Sequence, residues 1–103
     1  MPTIFGLFDL KDGVDPAEYE RWARTRYAPV VREMPSIDHW QAFRAAGVFG
    51  SGAAPPYRYF LVIEANDLEG VGRDLTDDRM QTLLAELHEF AAPPTLVVTE
   101  SFA

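Results

Sequence analysis

Apolar residues recur along this chain at two different periods, and the switches between them mark the elements. From Thr3 to Leu10 the run is rich in Ile, Phe and Leu and is followed by Asp12-Gly13, a strong turn signal, which predicts a first strand. Asp15 then stands before Pro16, with Glu18 three places on. This is the pattern of an N-cap, a proline at the first helical position and a capping-box partner, so a helix starts there. Tyr19, Trp22, Ala23, Tyr27, Val30 and Met34 follow mostly at spacings of three and four, forming one apolar stripe, with Arg21, Arg24 and Arg32 elsewhere on the surface and Pro35 as the stop. Pro29 lies inside this helix. It removes one backbone donor and crowds the carbonyl of Thr25, at a cost of about 3 kcal/mol in a regular helix, so a kink is expected near Tyr27.

Ile37 to Ala45 reads as a second strand, and Gly47 through Pro56 as a Gly/Ala/Pro loop without period, the expected mobile lid. Tyr57 to Ala65, dominated by aromatic and β-branched residues and closed by Asn66-Asp67, predicts a third strand. A short helical turn over Leu68 to Leu75 is weakened by Gly70 and Gly72, whereas Thr76, Asp77 and Asp78 predict a second helix start. Met80, Leu83, Leu84, Leu87 and Ala91 form its stripe, Pro93-Pro94 ends it, and Thr95 to Phe102 is a final strand. The order βαββαβ predicts an α+β, ferredoxin-like domain, an antiparallel four-stranded sheet with both helices on one face. The other face then needs a cover. On strand three Tyr57, Tyr59, Leu61 and Ile63 alternate with Arg58, Phe60, Val62 and Glu64, and on strand one Phe5 and Leu7 oppose Ile4 and Phe8. Both faces carry large apolar groups, so a partner sheet or a bound ligand is expected, which argues for a homodimer.

At 103 residues the chain is expected to form one domain over 1–103, and with 48% hydrophobic residues it can build a core unaided. No stretch approaches the roughly 20 apolar residues of a membrane span. Met1-Pro2-Thr3-Ile4 lacks the basic start and apolar run of a secretory signal, so a soluble cytoplasmic protein is expected. The absence of cysteine excludes disulfides, thiolate metal sites and a cysteine nucleophile. A net charge of −7 and nine scattered Lys and Arg residues argue against nucleic acid as a partner.

Ile4-Phe5-Gly6-Leu7-Phe8-Asp9-Leu10-Lys11-Asp12-Gly13-Val14-Asp15, followed by Tyr19-Glu20-Arg21-Trp22-Ala23, resembles the RedY/HapK-like proteins of the dimeric α+β barrel superfamily. Ser36-Ile37, Arg44 with Gly47, Pro56-Tyr57, Phe90-Ala91 and Pro93-Pro94 extend the resemblance over nearly the whole chain. It implies a barrel made by two subunits and a role in bacterial specialised metabolism, in pathways to prodiginine and bis-indole compounds where some members act as cofactor-free cyclases. Tyr27-Ala28-Pro29-Val30-Val31 is also similar to the His-Ala-Pro-Leu-Val motif of EthD-type barrels, whose histidine faces the pocket. Tyrosine at position 27 does not carry that acid/base role.

His39, Glu64 and His88 are the candidate proton handlers. If strands two and three pair as a hairpin, His39 and Glu64 share a face, and a carboxylate beside imidazole raises its basicity. Their ordinary reading is hydration at strand ends, and that of His88, beside Leu84 and Leu87, is a helix-boundary residue. Trp40 and Phe60 are expected as aromatic pocket walls, Arg44 as a partner for a substrate carboxylate or for one of the chain's own acids, and Tyr27 and Asp9 as further substrate contacts. Asp9 could instead cap a turn, and Glu100, a weaker candidate, could simply be solvated. No metal is expected, because the trio of His39, Glu64 and His88 lacks ligand spacing, and no glycine-rich phosphate loop is present. The expected function is a cofactor-independent cyclase or condensation enzyme acting on a small hydrophobic aromatic metabolite, indole- or pyrrole-derived. The alternatives are a non-catalytic hand-over protein and, third, a haem- or oxygen-using monooxygenase of the same superfamily.

Overall fold

Six residues of the apolar opening, Thr3–Phe8, form β1, and the computed structural model describes the chain over residues 2–103. Gly13, at φ 82, takes the turn that follows, a backbone conformation that side-chain-bearing residues avoid. The Asp15 carboxylate then caps Ala17 N–H at 2.9 Å and starts α1, Pro16–Trp22. Glu18 instead donates its backbone N–H to the Asp15 carbonyl, so the cap is one-sided where a reciprocal box was expected.

The break expected from Pro29 comes as a π-helical turn over Ala23–Tyr27, followed by α2, Ala28–Val31. Ala28 N–H reaches back five residues to the Ala23 carbonyl, so the helix widens by one residue just before the proline that cannot donate. Strand β2, Ile37–Arg44, and β3, Tyr59–Ala65, are one residue and two residues shorter than predicted, which lengthens the loop between them. Within it Gly50, at φ 73, lets the chain fold into a small turn bridging Val48 and Ser51.

The weak helical signal after β3 is a real helix, α3, Leu68–Asp74, with the Asp67 carboxylate capping Glu69 N–H at 3.2 Å. Gly70, read as a weakness, is needed for close packing: a Cβ there would stand 3.0 Å from both the Ser36 Cβ and the Asp67 carboxylate. Asp77 caps Arg79 N–H and opens α4, Asp78–Phe90, and β4, Thr95–Thr99, ends three residues before Phe102. Among the described residues, no helix is long and apolar enough to cross a membrane.

The strands lie in the order β2-β3-β1-β4, each pair antiparallel. This is the ferredoxin-like arrangement that the element order predicts. Directly opposed residues point to one face, so the registers sort every strand residue. Ile4, Phe8, Tyr59, Leu61 and Trp40 turn toward the helices and join Tyr19, Trp22, Tyr27, Val31, Met80, Leu83 and Leu87 in the core. Gly6 sits in this face because a Cβ would come within 3.1 Å of Leu61 and Leu96. One cluster ties α1 and the π-helical turn to α4: Glu86 of α4 accepts from Trp22 Nε1 at 2.7 Å and, bidentate, from Nε and Nη2 of Arg26 at 2.8 and 2.6 Å.

Candidate functional site

The face of the sheet that carries no helix is built in three rows. His39 lies directly opposite Glu64, Glu64 opposite Thr3, and Thr3 opposite Thr99, giving a polar row across all four strands. Next to it run Gln41, Val62, Phe5 and Val97, and beyond them Phe43, Phe60, Leu7 and Thr95. Phe5, Phe43 and Val97 are 43%, 46% and 44% exposed, far more than a core side chain. The face therefore combines an apolar band with a titratable edge, and both belong to one surface.

His39 and Glu64, both exposed, are brought together as the sequence predicts for a β2–β3 pair. Directly opposed Cβ atoms lie roughly 5 Å apart, close enough for both side chains to meet one bound molecule. Phe60 stands on the same face, one row beyond the apolar centre. Among the described residues no group of three His, Asp or Glu side chains could hold a metal ion.

The other expected site residues go elsewhere. His88 is exposed in the last turn of α4, in the helix layer, so the sheet separates it from His39 and Glu64. Trp40, expected to wall the pocket with Phe60, is 3% exposed on the helix-facing side, opposite Ile63, with the Tyr27 ring edge-on at 5.6 Å. Phe60 and Trp40 thus occupy opposite faces of one sheet. Tyr27 is core too, stacked on Trp22 at 5.1 Å, and burial pushes its phenol up to about 12, where it holds its proton at any physiological pH. Asp9 accepts from Arg58 N–H at 2.8 Å and so pins the far end of the β2–β3 loop to β1, not the turn at Asp12-Gly13. Glu100 is exposed just past β4.

Arg44 takes the second of its two expected roles and pairs with an acid of its own chain, Glu20 of α1. Glu20 also accepts from the Tyr59 hydroxyl at 3.0 Å and faces Arg24 at 3.8 Å. The Arg44 hydrogen bond holds the Glu20 carboxyl below its ordinary range; burial opposes it, and the Tyr59 hydroxyl and the Arg44 and Arg24 charges add smaller contributions in its favour. Burial and the adjacent Glu20 carboxylate push the Tyr59 phenol up. The sequence reading did not single out Glu20, nor the hydrogen bond that links it to Tyr59. The i,i+4 spacing of Glu20 and Arg24 was the only local sign of the cluster, and it is a common surface pattern.

The chain matches the family model described as REDY-like protein HapK over residues 2–102. No curated protein matches the sequence. Among solved structures it is similar to HapK from Hahella chejuensis, with 22% identity over 99% of this chain and 93% of that one and a TM-score of 0.81. An ethyl tert-butyl ether D (EthD) family protein from Bacillus halodurans matches at 16% identity over 99% of each chain, TM-score 0.76. A dimeric ferredoxin-like protein of unknown function from Thermobifida fusca matches at 18% identity over 97% of this chain and 90% of that one, also at TM-score 0.76. Since the family model spans all but the terminal residues, this chain belongs to the REDY-like HapK family.

Proposed function

We propose that this protein is a cofactor-independent cyclase or condensation enzyme that works in the cytoplasm as a homodimer on an indole- or pyrrole-derived aromatic intermediate of specialised metabolism. The observation that carries the reading is the helix-free face, where the His39–Glu64 row borders an apolar band of exposed Phe5, Phe43 and Val97 and half-buried Phe60 and Val62. A sheet face of this composition calls for a cover, and a second copy laid on it encloses an apolar space with a proton-handling edge. The dimeric ferredoxin-like protein from Thermobifida fusca supports the pairing by analogy of fold.

In such a space the flat intermediate stacks on Phe60 in a folded conformer, shielded from water, which removes much of the entropic cost of ring closure. His39 takes the proton released as the new bond forms. Glu64, directly across the strand pair, orients the imidazole and stabilises the imidazolium, and the proton then returns to product or solvent.

The test is to incubate the purified protein with the pathway intermediate and measure rate and product chirality. A cyclase changes the stereochemistry or ratio of products, whereas a hand-over protein leaves the spontaneous mixture as it was. His39→Ala and Glu64→Gln are expected to slow turnover by roughly 10²-fold or more, the usual scale of general acid–base catalysis. His88→Ala, in the helix layer, is expected to keep full turnover. Folded His39→Ala and Glu64→Gln variants that both retain full turnover refute the mechanism.

A further inference from the structure

On the opposite side of the sheet, α1 stands off from the ends of β2 and β3 and leaves an open cleft of about 200 Å³. Its floor is apolar, made by Tyr19, Ala23 and Ala42, and Phe43 rims it at the sheet edge. Its mouth is charged. Arg24 and Arg44 both line it, with Glu20 as the single carboxylate between them. Two guanidiniums against one carboxylate leave a local positive excess in a chain whose net charge is −7.

Most of the donors on these two arginines are unspent. Among the described residues Arg44 donates only to Glu20, through one nitrogen, and Arg24 makes a single 3.8 Å contact with the same carboxylate. Both side chains line the cleft and are well exposed, 70% for Arg24 and 64% for Arg44, so their remaining N–H groups are accessible to solvent. A guanidinium presents five donors in a planar fork, of which a carboxylate can take two at once. Glu20 is meanwhile held from behind by the Tyr59 hydroxyl at 3.0 Å, which fixes it at the wall of the cleft.

We propose that this cleft binds a small, flat aromatic carboxylate, its ring on the Tyr19–Ala23–Ala42 floor and its carboxylate on the forks of Arg44 and Arg24. A neutral ring would find the floor but leave the arginines unused. An aliphatic acid would find the arginines but fill the slot poorly. The sheet lies between this site and the His39–Glu64 row, so the two can be tested separately.

The probe is benzoate, with benzyl alcohol as its neutral analogue, each titrated into the intact protein at low salt and followed by amide NMR shifts. Benzoate is expected to give saturable shifts centred on α1 and on Ala42 to Arg44, and benzyl alcohol much weaker ones. Arg44→Gln is expected to weaken benzoate about tenfold, the scale of one charge-assisted hydrogen bond, and Arg44→Lys less. Glu20→Gln, which removes the competing carboxylate, is expected to tighten it. If Arg44→Gln proves misfolded by thermal melting, Arg24→Gln serves in its place with a severalfold weakening. Equal binding of benzoate and benzyl alcohol, shifts that stay linear to tens of millimolar, shifts centred away from the cleft, or undiminished affinity in the folded arginine variant would each overturn the proposal.

Discussion

Phe5→Thr is the substitution that bears most directly on the helix-free face. Phe5 lies on β1, an inner strand of the sheet, flanked on its face by Val62 and Val97, and 43% of it is exposed. A phenylalanine has about 200 Å² to bury, so roughly 85 Å² remains available to a partner, which is about 2 kcal/mol at 25 cal/mol/Å². A two-fold interface uses the same patch on both subunits, so the site counts twice, and threonine keeps part of the contact. The expected loss is therefore about 3 kcal/mol of association, or roughly a hundredfold in the dimer dissociation constant. Threonine is β-branched and favours the strand, so the fold is expected to survive. Leu68→Thr is the control: Leu68 is 45% exposed but lies on α3, outside the sheet. Sedimentation across a concentration series reads both variants. If Phe5→Thr leaves the dimer as tight as before, or Leu68→Thr weakens it equally, the second copy does not sit on this face.

Two further outcomes test the core and the acid response. Tyr27→Phe is expected to be nearly neutral, because the phenol makes no hydrogen bond among the described residues and its ring contacts persist, whereas Tyr27→Ala should cost about 3–5 kcal/mol through loss of the Trp22 and Trp40 contacts. Urea unfolding at fixed protein concentration measures both, and a large cost in Tyr27→Phe would give the hydroxyl a role. Glu20 and Glu86 have carboxyls held below the ordinary carboxylate range, by Arg44 and by Arg26 with the Trp22 indole respectively. Their contribution is complete above the ordinary carboxylate range and is lost as pH falls through the lowered native values. The double variant Glu20→Gln with Glu86→Gln should therefore show a flatter fall of stability as pH drops below the ordinary carboxylate range, in acid titrations followed by circular dichroism, and an unchanged acid limb would contradict it.

The local signals that are legible in this sequence are those with a local cause. Asp15 before Pro16 and Asp77 after Thr76 set helix starts through bonds that span two residues, and both caps are present. The alternation of β3 predicts two apolar faces, and both exist. Where the cause lies elsewhere in the fold, the reading falls short. Gly70 weakens an isolated helix, but the position must stay bare because Ser36 packs against it, and nothing near residue 70 announces Ser36. Glu20 looks like a surface acid until β2 brings Arg44 and β3 brings Tyr59 to it.

The fate of Trp40 and His39 turns on a single extra residue. Ile37 pairs with Ala65, yet His39 pairs with Glu64, so Asp38 is left over as a bulge. Without it, Ile37 opposite Ala65 would set His39 opposite Ile63 and Trp40 opposite Val62. Imidazole would then point into the helix-side core and indole onto the open face. The bulge reverses both: Trp40 enters the core beside Tyr27, with the Arg32 guanidinium 5.5 Å from its ring centre, and His39 emerges beside Glu64. Asp38 itself is held by a hydrogen bond from the Asn66 amide at 2.8 Å, and that same amide also donates to the Pro35 carbonyl at 2.9 Å. Asn66, read from the sequence only as a strand terminator, is thus part of what holds the register. Since a one-residue slip moves every later side chain of β2 to the other face, this polar clasp positions the candidate base as much as the base's own strand does.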